Sequence, residues 1–525
     1  MAPVFRLLCL TAVFISPSFG TGTFRFASYY NDHMVLQMKP ARAVLWGYCE
    51  HGANITVNVV KDDKTFYKKE TLCKGTGIWK VLLDPEGPGG PFQVTAQQNS
   101  TSGQPETAVL KDVLFGDVWI CSGQSNMEMT VAQIINASEE LAKAASYQHV
   151  RIFVAGLAMA DKELTDLSKI DLQWSVPTAE NLGHGEFTYF SAVCWLFGRY
   201  LYDKMQYPVG LIQSCWGGTP IESWISNRVV QRCGVPDNIK SFEIHMDFSK
   251  KSPFQFFDMY GPDKTTVLWN AMIHPFLNMT IKGAIWYQGE ANTERNTDLY
   301  NCTFPAMIKD WRKSFHHGSS GQTSMHFPFG FVQLSTYKKN STDDSYPRIR
   351  WHQTADEGFV PNRKMINTFM AVALDLCDEN SPYGSIHPRY KQDVAHRLLL
   401  GARAVAYREK GVVYQGPFPT NVGVVQSQLI NITYSQELFV NELSQNIFEV
   451  CCSSEKGHCD KDSSKWVPAA MISASSNIVS VSASGCSSMY IAGLRYAWRD
   501  WPCELKKCPL YNKENILPAP PFRFI

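Results

Sequence analysis

Asp117-Val118-Trp119-Ile120-Cys121-Ser122-Gly123-Gln124-Ser125-Asn126-Met127-Glu128 is the stretch on which the fold turns. Val118 to Cys121 is an apolar run too short for a helix and is closed by a Ser/Gly turn, so it reads as a buried strand. The apolar-periodic segment after it reads as a helix. A buried strand feeding a helix is the repeating half of an open parallel α/β sheet, whose ligands collect at the carboxyl ends of the strands. Ser125 stands at such an end and at the mouth of the expected helix, where free N–H groups stabilise negative charge. A helix-capping role would suit a serine there as well. Met127 occupies the place of the second glycine of a G-x-S-x-G elbow, which argues against an ordinary α/β-hydrolase fold.

Three more strand ends carry polar chemistry. Gly210-Leu211-Ile212-Gln213 runs into Trp216-Gly217-Gly218-Thr219-Pro220-Ile221-Glu222, where paired glycines let backbone N–H groups approach a ligand, as an oxyanion hole or a tight turn requires. Gly283 to Tyr287 ends in Gln288-Gly289-Glu290, and the Gln288 amide offers a second donor. Phe369 to Leu376 leads through Asp375 and Asp378 to Gly384-Ser385-Ile386-His387-Pro388. Pro388 suits the first turn of a helix and leaves His387 on the loop before it. A nucleophile, two kinds of donor and a base at one end of one sheet form an acyl-transfer constellation.

Around this α/β region, expected over 111–410 with an irregular insertion near 234–264, the texture is β-rich. Residues 21–110 carry short β-type runs such as Ile55 to Val60 and Trp79 to Leu83 between turn clusters, as in a small Ig-like β-sandwich. Residues 411–525 return to that pattern, with Ile478 to Val481 and Ser488 to Leu494 as strands. A chain of 525 residues fits about three domains at ~150 residues each. Hydrophobic residues at 45% and charged residues at 18% exclude wholesale disorder, and a net charge of +1 with no basic run argues against nucleic acid.

Arg6, the apolar stretch Leu7 to Ile15 and the small end Pro17-Ser18-Phe19-Gly20 have the layout of a cleaved secretory signal over residues 1–20, and no later run has the ~20 apolar residues of a membrane span. Of the 15 cysteines, Cys9 leaves with the signal. The rest, six of them crowded between Cys451 and Cys508, read as disulfides rather than a zinc site, because no paired C-x-x-C spacing occurs. Sequons at Asn54, Asn99, Asn136, Asn278, Asn301, Asn340 and Asn431 agree with a glycosylated protein of the secretory pathway, lysosomal and/or secreted.

Gly116-Asp117-Val118-Trp119 with Gly123-Gln124-Ser125-Asn126-Met127, then Trp216 to Glu222, Trp269-Asn270-Ala271-Met272-Ile273, Trp286-Tyr287-Gln288-Gly289-Glu290 and Ile386-His387-Pro388, resemble the sialate O-acetylesterase family of the SGNH (GDSL-like) hydrolase superfamily. The resemblance covers nearly the whole mature chain. It implies a flavodoxin-like three-layer parallel-sheet catalytic domain flanked by β-domains. It also implies Ser125 as nucleophile, His387 as base and acid, and Gly217 or Gly218 with Gln288 as oxyanion donors beside the Ser125 amide. The implied reaction is removal of O-acetyl groups, 9-O-acetyl foremost, from free or conjugated sialic acids, without a cofactor. The same chemistry on another acetylated glycan such as acetyl-xylan, and an inert glycan-binding protein, are the alternatives.

Related members often place an aspartate two or three residues before the histidine, where this chain has Ser385 and Gly384. The orienting group is therefore open between Asp378, Asp375, a backbone carbonyl and a plain dyad. Arg348, Arg350 and Arg389 are candidates for the sialic acid carboxylate, since guanidinium suits it. A base with an ordinary histidine pKa implies activity that declines as pH falls past ~6.5.

Overall fold

The computed structural model describes residues 24–62, 64–99, 104–236, 261–426, 428–454, 459, 466–486 and 489–524. The signal segment 1–20 and most of the insertion near 234–264 lie outside them. The central sheet is built from β1 (Glu106–Gly123), β2 (Val150–Ala155), β3 (Ile170–Ser175), β4 (Val209–Cys215), β5 (Gly283–Tyr287), β6 (Phe329–Gln333) and β7 (Thr368–Val372), in the order β3-β2-β4-β1-β5-β6-β7. All neighbours are parallel except the β3–β2 pair. Along the chain β2, β3 and β6 fall between the motif-bearing strands, and they were not read from the sequence.

β1 spans 18 residues. Its first part alternates between exposed and covered positions and pairs antiparallel with Gly89–Asn99, while everything from Val113 onward is buried. One strand thus passes from a half-solvated β-layer into a parallel sheet covered on both faces, and the pattern changes from alternating to continuous for that reason. The division expected at 110/111 falls inside it. The N-terminal β-layers are otherwise formed by Arg25–Phe26, Val44–Tyr48 and Ile78–Leu82 in one sheet and Asn54–Lys61, Lys64–Leu72 and Gly89–Asn99 in the other.

β4 and β5 flank β1 on opposite sides, so the chain leaves β1 at the point where the sheet order reverses. A crevice opens there in sheets of this kind. The helix after β3, Ala192–Met205, meets the sheet through Phe197, whose ring stands edge-on to Trp119 at 5.1 Å, and Cys194 forms a disulfide with Cys121 of β1. The helix Tyr300–Gly318 meets it through Trp311, 5.8 Å from Trp286 of β5.

The C-terminal part contains two four-stranded antiparallel sheets around their own core, with strands at Ile478–Ser482 and Tyr490–Tyr496. It is keyed into the α/β part by Arg350, a fully buried guanidinium that donates to the carbonyls of Leu334, Ser335, Arg499 and Asp500. The Asp500 carboxylate accepts the N–H groups of Tyr337 and Lys338, and Ser385 Oγ donates to the Tyr337 carbonyl. The C-terminal region therefore braces the loop that carries His387.

Candidate active site

Gly123 is the level line of the site. Cys215 on β4 and Tyr287 on β5 both pair with it, the Trp216 N–H donates to its carbonyl at 3.1 Å, and the Gln124 N–H donates to the Tyr287 carbonyl at 2.9 Å. A Cβ on Gly123 would stand 2.1 Å from the Tyr287 oxygen, so the strands close to this distance only around a glycine. Ser125 consequently emerges between the loop after β4 and the loop after β5. The expected helix is a single turn, α1 (Ser125–Glu128), because the backbone turns extended at Met129.

His387 completes the pair. Its Nε2 lies 2.8 Å from Ser125 Oγ although 262 residues separate them. Its Nδ1 lies 2.7 Å from the carbonyl of Tyr383, which can only accept, so Nδ1 carries the hydrogen and Nε2 is left to accept from the serine hydroxyl. Burial pushes the imidazole down to about 4, assisted by nearby Lys391 and opposed by the Tyr383 carbonyl. The ring is covered on one side by half-buried Phe187, 5.2 Å away edge-on, from a loop in which Phe187 and Tyr189 both have positive φ. Bulky residues hold that conformation only where the surroundings impose it.

The segments bearing Ser125 and His387 are tied together by Asn126. Its Nδ2 donates to Glu290 Oε1 at 2.5 Å and to the carbonyl of Ile386 at 2.9 Å, while its Oδ1 accepts from Lys391 Nζ at 2.6 Å. All three side chains are buried, and burial raises the Glu290 carboxyl and lowers the Lys391 ammonium to about 7. The amide thus has both hydrogens and its oxygen engaged, one residue from each member of the pair. The sequence signal for this set was present, in Asn126 beside Ser125, Glu290 two residues after Gln288, and Lys391 four residues after His387. Only contact geometry joins them.

Several expected roles are corrected. The N–H of Gly217 donates to Glu128 Oε2 at 2.7 Å and is spoken for, whereas those of Gly218 and Ser125 make no hydrogen bond among the described residues. Gln288 is fully buried. Both hydrogens of its Nε2 are committed, to Asn292 Oδ1 at 2.7 Å and the Thr219 carbonyl at 3.2 Å, and its Oε1 accepts from Tyr300. It braces the two loops and offers no open donor. Asp378 is gripped by Arg389 through its Nε, NH2 and backbone N–H, and Asp375 is gripped by Arg397 and Tyr511, so neither reaches His387.

Arg350 and Arg389 are thereby occupied too, and Arg348 pairs with Asp298. The helix after His387 begins at Lys391, not at Pro388, because the Asp378–Arg389 clamp holds the intervening residues in an irregular turn.

Twelve cysteines form six disulfides, including Cys451–Cys459, Cys452–Cys486 and Cys503–Cys508 within the C-terminal crowd, while Cys215 and Cys377 stay reduced and buried. Of the sequon asparagines, Asn54, Asn99, Asn136 and Asn340 are exposed. Asn278, Asn301 and Asn431 are half-buried with their amides hydrogen-bonded to Lys80, Asp356 and Ser480. Among the described residues no group of three or more His, Cys, Asp or Glu side chains gathers as a metal site would, and no helix is long and apolar enough to cross a membrane.

Residues 115–376 match the family described as carbohydrate esterase, sialic acid-specific acetylesterase, and residues 420–525 match the sialate O-acetylesterase C-terminal domain. The sialate O-acetylesterase of Mus musculus is 53% identical over 537 residues, covering 99% of this chain and 97% of its own. The chain belongs to the sialate O-acetylesterase family. The Homo sapiens protein of that name is 54% identical over 95% of this chain and 92% of its own. Among solved structures, a carbohydrate acetylesterase from Xanthomonas citri is similar with a TM-score of 0.75 at 26% identity, covering 95% of this chain and 99% of that one. The segments matched to sialate O-acetylesterase domains contain Ser125, Gly218 and Glu290 but leave out 377–419, so it is the 2.8 Å contact that attaches His387 to the site.

Proposed function

We propose that this chain hydrolyses O-acetyl esters of sialic acids, 9-O-acetyl groups on the glycerol side chain foremost, through an acetyl-enzyme on Ser125. The observation that carries the mechanism is the Ser125 Oγ to His387 Nε2 distance of 2.8 Å, with Nδ1 turned to the Tyr383 carbonyl. The relatives' name supplies the substrate. His387 takes the serine proton as the alkoxide attacks the acetyl carbonyl. The N–H groups of Ser125 and Gly218 receive the oxyanion. The acetyl–oxygen bond to the sugar breaks as the imidazolium gives its proton to the departing sugar oxygen, and water, deprotonated by the same ring, attacks the acetyl-enzyme and releases acetate and the Ser125 hydroxyl.

A carbonyl in place of a triad carboxylate orients the imidazole without supplying a negative charge for its protonated form. The test is acetate release from 9-O-acetylsialic acid by the wild type and Ser125→Ala. Release by the wild type alone is expected, and equal release would overturn the reading.

A second reading, the same chemistry on another acetylated glycan, is favoured by one observation: the three arginines considered for a sialic acid carboxylate are all engaged by protein groups. Comparison of kcat/KM on O-acetylsialic acid and acetyl-xylan separates the two. An inert binding protein would not label with a fluorophosphonate, which needs an activated hydroxyl.

The same proposal takes the α/β part as a flavodoxin-like SGNH domain of three layers. Strand parity supports this, because Trp119 and Gly283 share a register position and Trp286 lies three residues on, so the Phe197 and Trp311 contacts fall on opposite faces. It divides the chain at about 110 and 410, with the signal over 1–20 removed. It places the mature protein in the lysosome and/or outside the cell, where a base that stays neutral down to about pH 4 keeps working in an acidic compartment.

A further inference from the structure

Glu128 is a buried acid beside the nucleophile with no part in the chemistry just described. It lies one helical turn after Ser125 on α1, is 9% exposed, and forms no ion pair among the described residues. Among the described residues its side chain has one hydrogen bond, accepted at Oε2 from the N–H of Gly217 at 2.7 Å. Gly217 opens the turn whose next residue, Gly218 at φ +70°, has its N–H uncommitted.

The turn is pinned at five other points: Trp216 N–H on the Gly123 carbonyl, Gly261 N–H on the Gly217 carbonyl, Thr219 Oγ1 on the Trp216 carbonyl, Trp224 Nε1 on Thr219 Oγ1, and Gln288 Nε2 on the Thr219 carbonyl. Glu128 is the one pin that comes from the nucleophile's own helix.

We propose that Glu128 is a positioning residue for the esterase, fixing the distance between Ser125 and the Gly218 N–H by holding the Gly217 amide from α1. This rests on the reading of Ser125 as nucleophile. A carboxyl buried without a cation costs folding stability, and such groups persist where geometry needs them. Burial pushes it up to about 8, and the Gly217 hydrogen bond opposes that shift. Near neutrality the group is accordingly a neutral acid accepting through a carbonyl-type oxygen, which a glutamine side chain reproduces in shape and charge.

The experiment compares wild type, Glu128→Ala, Glu128→Gln and Glu128→Asp on 9-O-acetylsialic acid. Fluorophosphonate labelling of Ser125 is followed in parallel, and each variant's Tm is recorded. Glu128→Ala is expected to lose ~10²-fold in kcat with KM within about threefold, as for a donor displaced by a fraction of an ångström. Its labelling should slow by a similar factor. Glu128→Gln should recover most of that loss, and Glu128→Asp, one methylene short, should not.

If Glu128→Ala does not fold, the Gln and Asp pair decides: equal kcat in the two overturns the proposal. Wild-type kcat in folded Glu128→Ala overturns it as well, and so does a Gln variant as slow as Ala. Should the wild type release no acetate, the substrate reading falls while the labelling rates still test Glu128. No labelling of the wild type would remove both.

Discussion

Four acids surround the pair formed by Ser125 and His387, and they fall into two regions of opposite design. On the loop between β7 and His387, Asp375 and Asp378 are each clasped by an arginine, Arg397 and Arg389, in two-pronged contacts of 2.6–3.0 Å. Beside the nucleophile, neither Glu128 nor Glu290 is clasped by a guanidinium, and the Lys391 ammonium acts on Glu290 only across the Asn126 amide they share. One holds a backbone N–H and the other an asparagine amide, and burial raises both carboxyls. Paired carboxylates anchor a fold, because removing one partner strands the other's charge, whereas unpaired buried carboxyls weaken it and are kept for what they orient. The two aspartates on the loop before His387 are therefore structural. The acids that shape the site come from other strands.

That contrast has its centre at Ser125, and the largest effect is expected there. Ser125→Ala should lower kcat by at least ~10⁴-fold with Tm unchanged, read as acetate release beside a melting curve. A folded variant with wild-type turnover would leave Glu128 and Glu290 arranged around nothing. The next effect isolates the link between the segments that carry Ser125 and His387. Asn126→Ala cuts the tie to Ile386 and leaves Lys391 and Glu290 without their shared partner, so kcat should fall by ~10²-fold with KM little changed, as expected when a reacting group drifts by about 1 Å. A fall in KM affinity with kcat intact would place Asn126 on the substrate instead of on the loop.

The parallel sheet, the strand ends and the placing of Ser125 and His387 at two of them were legible because each is a local pattern: an apolar run, a turn, a polar residue at its end; the pairing of the two, 262 residues apart, was an expectation from the resemblance. What was not legible is which donor stays open once everything packs. Gly217 and Gly218 are equivalent in sequence, and only the Glu128 contact separates them. Gln288 looks like a donor at a strand end until Asn292, Thr219 and Tyr300 consume its amide. The aspartates looked available because the guanidiniums that hold them lie 11 and 22 residues further along, beyond any local window. The helix after Ser125 was overestimated for a related reason, since apolar periodicity beyond Met129 serves packing of irregular turns as well as of a helix.

A smaller effect comes from pH. His387 must be neutral to accept the serine proton, and with burial holding it near 4 the neutral form prevails from neutrality down to that point. The kcat/KM profile should therefore stay level from pH 7 to about 5 and fall about tenfold for each unit below 4, whereas an ordinary histidine would begin to fall near ~6.5. The sign for stability follows. Between about 4 and ~6.5 the unfolded chain binds a proton on this ring and the folded one does not, so this group makes stability rise with pH across that window. A midpoint near 6.5 in kcat/KM would mean that a counter-charge reaches the ring after all, and the comparison of the two acid regions would then be wrong about His387.

The smallest effect on rate is the sharpest test of the comparison. In a Ser-His-Asp enzyme, replacing the aspartate by asparagine costs ~10⁴-fold in kcat because the imidazole loses its tautomer and its counter-charge. Here the Tyr383 carbonyl sets the tautomer, and Asp378 faces Arg389. Asp378→Asn should then change kcat by less than ~5-fold while lowering Tm by a few degrees. The amide keeps one acceptor for the guanidinium, and Arg389, 27% exposed, recovers part of its solvation from water, so the loss should be about 1–2 kcal/mol, below the ~3–5 of a fully buried pair. Asp375→Asn supplies that upper case, since Asp375 is wholly covered and Arg397 nearly so. A thousandfold loss of kcat in Asp378→Asn at native Tm would make its carboxylate part of the proton relay. A larger drop in Tm with kcat preserved would fit an acid whose work is to hold the turn from which His387 reaches Ser125.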